Sequence, residues 1–152
     1  MKFAQYQFLM EHALAACQAE GMTLGDAKQL NPIVLAYIGD VVFSMYVRLR
    51  LLPTSSHVRV LNDLGMKMVS AVYQAVAMEL LESSLTEDEQ HIYRRGRNAK
   101  STVPKSASVR EYRLATAFEA LLGYLYLEER EERLEELLAA SFKIISEKLA
   151  EK

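Results

Sequence analysis

A chain of 152 residues, 51% hydrophobic and 25% charged, has enough apolar surface for one folded domain and too much for a disordered one. Its single cysteine, Cys17, excludes an internal disulfide and any cysteine-built zinc cage, which fits a reducing compartment and predicts a cytoplasmic protein. The net charge of -2 excludes a wholesale polycation.

With 6 Gly, 3 Pro, no Val-rich alternating run and a majority of good helix formers, the expected class is all-α, with Pro32, Pro53 and Pro104 at boundaries. Leu14-Ala15-Ala16-Cys17 resembles a lipoprotein cleavage box, but Gln5, Gln7, Glu11 and His12 interrupt the apolar run that a signal peptide needs. Phe3, Tyr6, Met10, Ala13 and Cys17 recur at spacings of three and four, predicting a first helix with one apolar face that Gly21 stops. Asn31 as cap and Pro32 as first helical residue open a second helix running to about Leu52. Its apolarity all round predicts a central, buried element, and Asp40 near its middle makes it a poor membrane span.

A third helix is expected to begin near Ser55 or Ser56, and Gly65 to separate it from a fourth over 66–81. The stripe of that fourth helix reads Met68, Val69, Val72, Val76 and Leu80, with Met66, Met68 and Met78 as core filler. Thr86 and Glu89 form a capping box for a fifth helix that ends in Arg94 and Arg95 before Gly96, its left-handed cap. Residues 96–107 (GRNAKSTVPKSA) read as an exposed loop. Val109 to about Leu127 is a second very apolar helix, followed by an amphipathic one with the stripe Leu134, Leu138, Phe142, Ile145 and Leu149. From His91 to Arg113 seven basic residues (Arg94, Arg95, Arg97, Lys100, Lys105, Arg110, Arg113) face one acid, Glu111, so a polyanion would choose this segment. His12, His57 and His91 show no ligand spacing.

Asp40 is the one charged residue in LNPIVLAYIGDVVFSMYV, and Glu119 the one in LATAFEALLGYLYL. A buried unpaired carboxylate is so unfavourable that each should have a compensator. Arg48 or Arg50, or a facing backbone, is one answer. The other is a hard divalent cation shared by the two acids, since magnesium is held by one or two protein carboxylates together with waters and phosphate oxygens. Such a site activates water and neutralises phosphate charge, and the basic segment would bring the polyanion.

YIGDVVFSMYVR (37–48), VSAVYQA (69–75), RRGRNAKS (94–101) and TAFEALLGYLYLE (116–128) together resemble Mini-ribonuclease III, the compact bacterial branch of the ribonuclease III family, over roughly residues 29–140. The resemblance implies an all-α, ribonuclease III catalytic-domain-like helical bundle without a double-stranded-RNA-binding domain. It implies an N-terminal helical extension over 1–28 and a catalytic domain over 29–152. It further implies a homodimeric, magnesium-dependent endoribonuclease that cleaves double-stranded RNA, leaves a 5′-phosphate and matures the ends of 23S ribosomal RNA, in contact with a ribosomal protein or pre-ribosomal particle and no membrane. The family's two signature acids fall on Asp40 and Glu119, as catalytic and metal-binding residues. Arg94, Arg95, Arg97, Asn98, Lys100 and Ser101 then become the RNA-binding set, since duplex RNA is read through its shape, phosphates and 2′-hydroxyls. The larger ribonuclease III enzymes carry two further acids where this chain has Ala36 and Thr116, as the Mini branch also does. Those gaps support the rival reading of a noncatalytic helical RNA-binding or ribosome-assembly factor, whereas retention of both lone acids opposes it. The N-terminal helix either packs on the core or extends the contact between copies.

Overall fold

The computed structural model describes residues 3–18 and 25–151. Seven α-helices and no strand occur among them: α1 Phe3–Gln18, α2 Pro32–Leu51, α3 Val58–Met68, α4 Ala71–Leu81, α5 Glu87–Arg97, α6 Val109–Leu127 and α7 Glu131–Ala150. α6 is the axis, with eleven buried residues and α2, α4 and α5 packed around it. The expected all-α class holds.

Local signals set most boundaries. The Asn31 carboxamide oxygen accepts the Ile33 N–H at the start of α2, Thr86 and Glu89 close their capping box on α5, and Ser108 with Glu111 closes another on α6. Glu89 also receives Arg133 of α7 through Nε and Nη2 at 2.8 and 3.0 Å, with its carboxylate 1% exposed. Burial pushes the acidity of Glu89 down, but the Arg133 guanidinium and the Thr86 N–H outweigh it and leave the carboxyl below its ordinary pKa. The packed unit reaches back to Ala27, which is buried, and to Lys28, which pairs with Asp88 of α5 at 2.6 Å.

Several expectations change. Gly65 lies inside α3, and the break falls at Val69–Ser70 instead, where the Ser70 hydroxyl donates back to the Lys67 carbonyl. The expected stripe was therefore carried across a bend, and Val72, Leu80 and Met66 are exposed while Tyr73, Gln74, Ala75, Ala77, Met78 and Leu81 face inward. Gly96 is helical and is no left-handed cap. A Cβ there would stand 2.8 Å from the Ala117 Cα, so glycine is needed for the close approach of α5 to α6. In α1 every side chain that can be placed is exposed, including Met10 and Ala13 of the expected face, and the Gly21 stop lies outside the described residues. α2 is apolar all round because it has two apolar faces: Leu35, Gly39, Phe43, Tyr46 and Val47 enter the core, whereas Tyr37, Val41, Met45 and Leu49 lie on the surface.

Candidate active site

Asp40 and Glu119 stand 79 residues apart, and one helix crossing brings them together. Gly39 of α2 lies against the backbone of Glu119, so close that a Cβ on it would fall 2.6 Å from the Glu119 carbonyl carbon and 2.9 Å from the Gly123 nitrogen. The relation is reciprocal, because a Cβ on Gly123 would stand 2.8 Å from the carbonyl carbon of Leu35 and 3.1 Å from the Gly39 nitrogen. Two side-chain-free residues let two helix backbones touch, and the residue after Gly39 is Asp40. Its carboxylate is thereby held near that of Glu119, near enough to disfavour ionisation there.

The two acids differ in environment. Asp40 is exposed, which overturns the expectation of a buried charge: it stands at the solvent edge of α2, and the apolar sequence around it belongs to the two faces on either side. Glu119 is the partly buried one. Burial, and secondarily the neighbouring Asp40 charge, push its carboxyl up to about 7. Neither acid makes an ion pair among the described residues. Arg50, considered above as a partner, stacks on Tyr46 at 3.5 Å and pairs with Glu135 at 2.9 Å, while Arg48 shares a shallow groove with Asp40 without pairing to it.

A raised carboxyl pKa stabilises the fold below the unfolded value and loses that contribution as pH climbs through the folded value. The metal-free protein should therefore lose up to about 3 kcal/mol between pH 4.5 and 8 on account of Glu119. Thermal melts in a chelator should show this decline, and Glu119→Gln should flatten it. A slope identical in the two proteins would mean that Glu119 is ionised normally.

Ala36 and Thr116, where the larger enzymes carry acids, are both buried, and the Thr116 hydroxyl donates to the Tyr112 carbonyl at 3.0 Å. No group of three or more His, Cys, Asp or Glu that could hold a metal occurs among the described residues. The donor set is thus two carboxylates open to solvent on one side, without a neutralising cation from the protein. That set fits a hard, largely hydrated ion such as magnesium and does not fit a cage-bound calcium or zinc.

The basic segment begins at the end of α5, which packs on α6 through Gly96 against Ala117 and Ala120, a different face of that helix from the one that carries the Glu119 side chain. Its residues have unequal freedom. Arg94 is exposed, with Nε on the Gln90 carbonyl at 3.3 Å, and Asn98 and Lys100 are exposed. Arg97 lies over the Tyr93 ring and faces a cleft of mixed charge, shared with Asn98, Arg110 and Arg113 and with Glu79 and Glu82, in which Arg110 pairs with Glu79; the Ser101 hydroxyl donates to Tyr112 at 2.8 Å. Arg95 is engaged by the fold itself, donating to the carbonyls of Lys28 and Leu30 at 2.6 and 2.8 Å and fixing the approach to α2. The sequence reading missed Gln74, a wholly buried amide of α4 that faces Glu119. A polar residue in an otherwise apolar stretch of α4 was the available signal.

A model of the ribonuclease III domain matches residues 33–130, which contain both acids and the whole basic segment. Mini-ribonuclease 3 of a Thermoanaerobacter strain is 44% identical over 130 residues, covering 84% of this chain and 92% of that protein. Mini-ribonuclease 3 of Symbiobacterium thermophilum is 48% identical over 124 residues, covering 79% and 94%. A crystal structure of a Fusobacterium nucleatum protein superposes with a TM-score of 0.72 at 30% identity, covering 78% of this chain and 96% of that one. The chain belongs to the ribonuclease III family, in its Mini-ribonuclease 3 branch of endoribonucleases.

Proposed function

We propose that this protein is a magnesium-dependent endonuclease for double-stranded RNA, with Asp40 and Glu119 as its metal-binding and catalytic acids. The observation that carries this reading is the Gly39–Gly123 crossing, which brings an exposed and a largely buried carboxylate together without a cationic partner from the described residues. When bound, magnesium would supply an activated water and neutralise charge on the scissile phosphate. Asp40, exposed, would hold the ion from the solvent side. Glu119 would have to be ionised to join it, so metal binding there would release a proton. The product would carry a 5′-phosphate.

Arg94, Arg97, Asn98, Lys100 and Ser101 would hold the duplex, with Arg95 contributing through the donors its two carbonyl bonds leave over. This gives a separable expectation. Arg94→Ala with Lys100→Ala should leave the melting temperature unchanged and reduce the salt slope of RNA binding by about 1–2. Arg95→Ala should also destabilise the fold by about 1 kcal/mol, because two part-buried carbonyls lose their charged donor. Filter binding across a salt series and thermal melts would separate the two effects; equal salt slopes in all variants would return the arginines to a helix-end role.

The outer face of α2 supports a homodimer. Tyr37, Val41, Met45 and Leu49 line an apolar groove with Tyr126 and Leu138, and Met45 is 62% exposed. So large an apolar face on a helix that carries Asp40 is best covered by a second copy, which would place the two sites on opposite strands of a duplex. Met45→Glu should yield a monomer in analytical ultracentrifugation and lower the rate of paired-strand cutting; a dimer that persists places the contact elsewhere. We assign residues 29–152 to the catalytic unit and 1–28 to an extension, in a cytoplasmic protein that acts on 23S ribosomal RNA precursors, with a ribosomal protein or pre-ribosomal particle as partner. The whole reading is tested by incubating the purified protein with a 23S precursor duplex and with a single strand of the same sequence. Cleavage of the duplex alone, abolished by chelator and restored by magnesium, is expected. Binding without any turnover in magnesium would favour the noncatalytic alternative.

A further inference from the structure

We propose that Gln74 is a positioning residue of the Asp40–Glu119 site, its carboxamide holding the Glu119 carboxylate in the orientation that receives the cation. Gln74 sits in the first turns of α4, the helix packed along α6, and is 1% exposed. Both its amide nitrogen and its amide oxygen are shielded from solvent, and neither makes an aligned hydrogen bond. Such a group is rare in a folded core, because a buried donor or acceptor without a partner is destabilising, and a leucine of similar volume would suit the apolar setting better.

What the amide faces explains why it is there. Glu119 of α6 lies within side-chain reach of the amide. An amide N–H favours the ionised carboxylate, the form that binds a metal. The two positions where the larger enzymes carry acids cannot do this: Ala36 is apolar, and the Thr116 hydroxyl donates to the Tyr112 carbonyl. The aligned bond that the buried amide lacks is therefore the one that a small turn of the Glu119 carboxyl group toward it would complete. Groups that orient a metal ligand typically change metal affinity about 10- to 100-fold.

The inference rests on the proposed metal site, and the test separates the two. Melting temperature is measured against magnesium concentration for the parent chain, Gln74→Leu and Gln74→Met, together with the magnesium dependence of cleavage. For Gln74→Leu the expected results are an unchanged or higher melting temperature without metal, and about tenfold or more magnesium for half-maximal stabilisation. Cleavage at saturating magnesium should stay within about threefold of the parent, which locates the defect in ion capture. A parent chain that magnesium does not stabilise overturns the metal site and the role of Gln74 together. An unaltered magnesium requirement in Gln74→Leu overturns the role of Gln74 alone. Failure of both variants to fold would make Gln74 a structural residue and also overturn the assignment.

Discussion

Asp40→Asn is expected to fold like the parent and to cut duplex RNA at least about a thousandfold more slowly, a loss of about 4 kcal/mol of transition-state stabilisation. The folding half follows from placement. Asp40 is exposed on α2, makes no ion pair among the described residues, and is nearly isosteric with asparagine, so stability should change by about 0.5 kcal/mol or less. The catalytic half follows from the size of the donor set. With Ala36 and Thr116 in place of further acids, Asp40 is one of two carboxylates, and no third acid stands behind it among the described residues. Single-turnover cleavage at saturating magnesium measures the effect, and binding of the same duplex serves as the control. RNA affinity within about threefold of the parent is expected, because in the proposed reading the basic segment and not Asp40 supplies the phosphate contacts. A variant that cuts within tenfold of the parent would remove Asp40 from the chemistry. The same substitution should move Glu119 back toward an ordinary carboxyl pKa without restoring it fully, since burial is the larger cause of its shift.

How much of this was legible in the residues differs from element to element. Asn31-Pro32, the Thr86–Glu89 box and Pro53 are local devices, acting within one turn of backbone, and each set a helix end where it was expected. Gly65 and Gly96 misled for a shared reason. Glycine marks either a break or a close approach between backbones, and only the packing partner decides which; at Gly96 the partner is Ala117 of α6. The apolarity of α2 was read correctly as composition and incorrectly as burial, because a sequence does not say whether an apolar face meets its own chain or another. That same error made Asp40 seem buried. The pairing of Asp40 with Glu119 was suggested by their matching isolation and by the family resemblance, but the device that achieves it, Gly39 against Gly123, is a contact between helices far apart in the chain. Gln74 escaped notice because a single amide in a helix has no periodic signature, and its meaning appears only once Glu119 is seen opposite it.

The crossing itself supplies the second large effect. Gly39→Ala adds one methyl group, and on an exposed helix position that exchange would be favourable by about 0.5–1 kcal/mol. Here the methyl would be driven into the carbonyl group of Glu119, with its carbon 2.6 Å away, and would stand 2.9 Å from the Gly123 nitrogen. Real Cβ atoms do not approach backbone so closely, and backbone in the middle of two long helices cannot rotate aside as a side chain can. α2 and α6 must therefore separate along the most extensive packing interface of the fold, loosening Phe43 from Phe118, whose rings meet edge to face at 5.0 Å. A destabilisation of about 3–5 kcal/mol is expected, above the usual range for an added methylene and a large fraction of a small domain's stability. Urea unfolding would measure it. Activity should fall further than stability accounts for, because the separation that relieves the clash also draws Asp40 away from Glu119. Raising magnesium should recover part of the lost rate in Gly39→Ala and none in Asp40→Asn, since the first keeps both carboxylates and misplaces them while the second has lost one. Full activity in a stably folded Gly39→Ala protein would show that the two acids do not need the glycine crossing to meet.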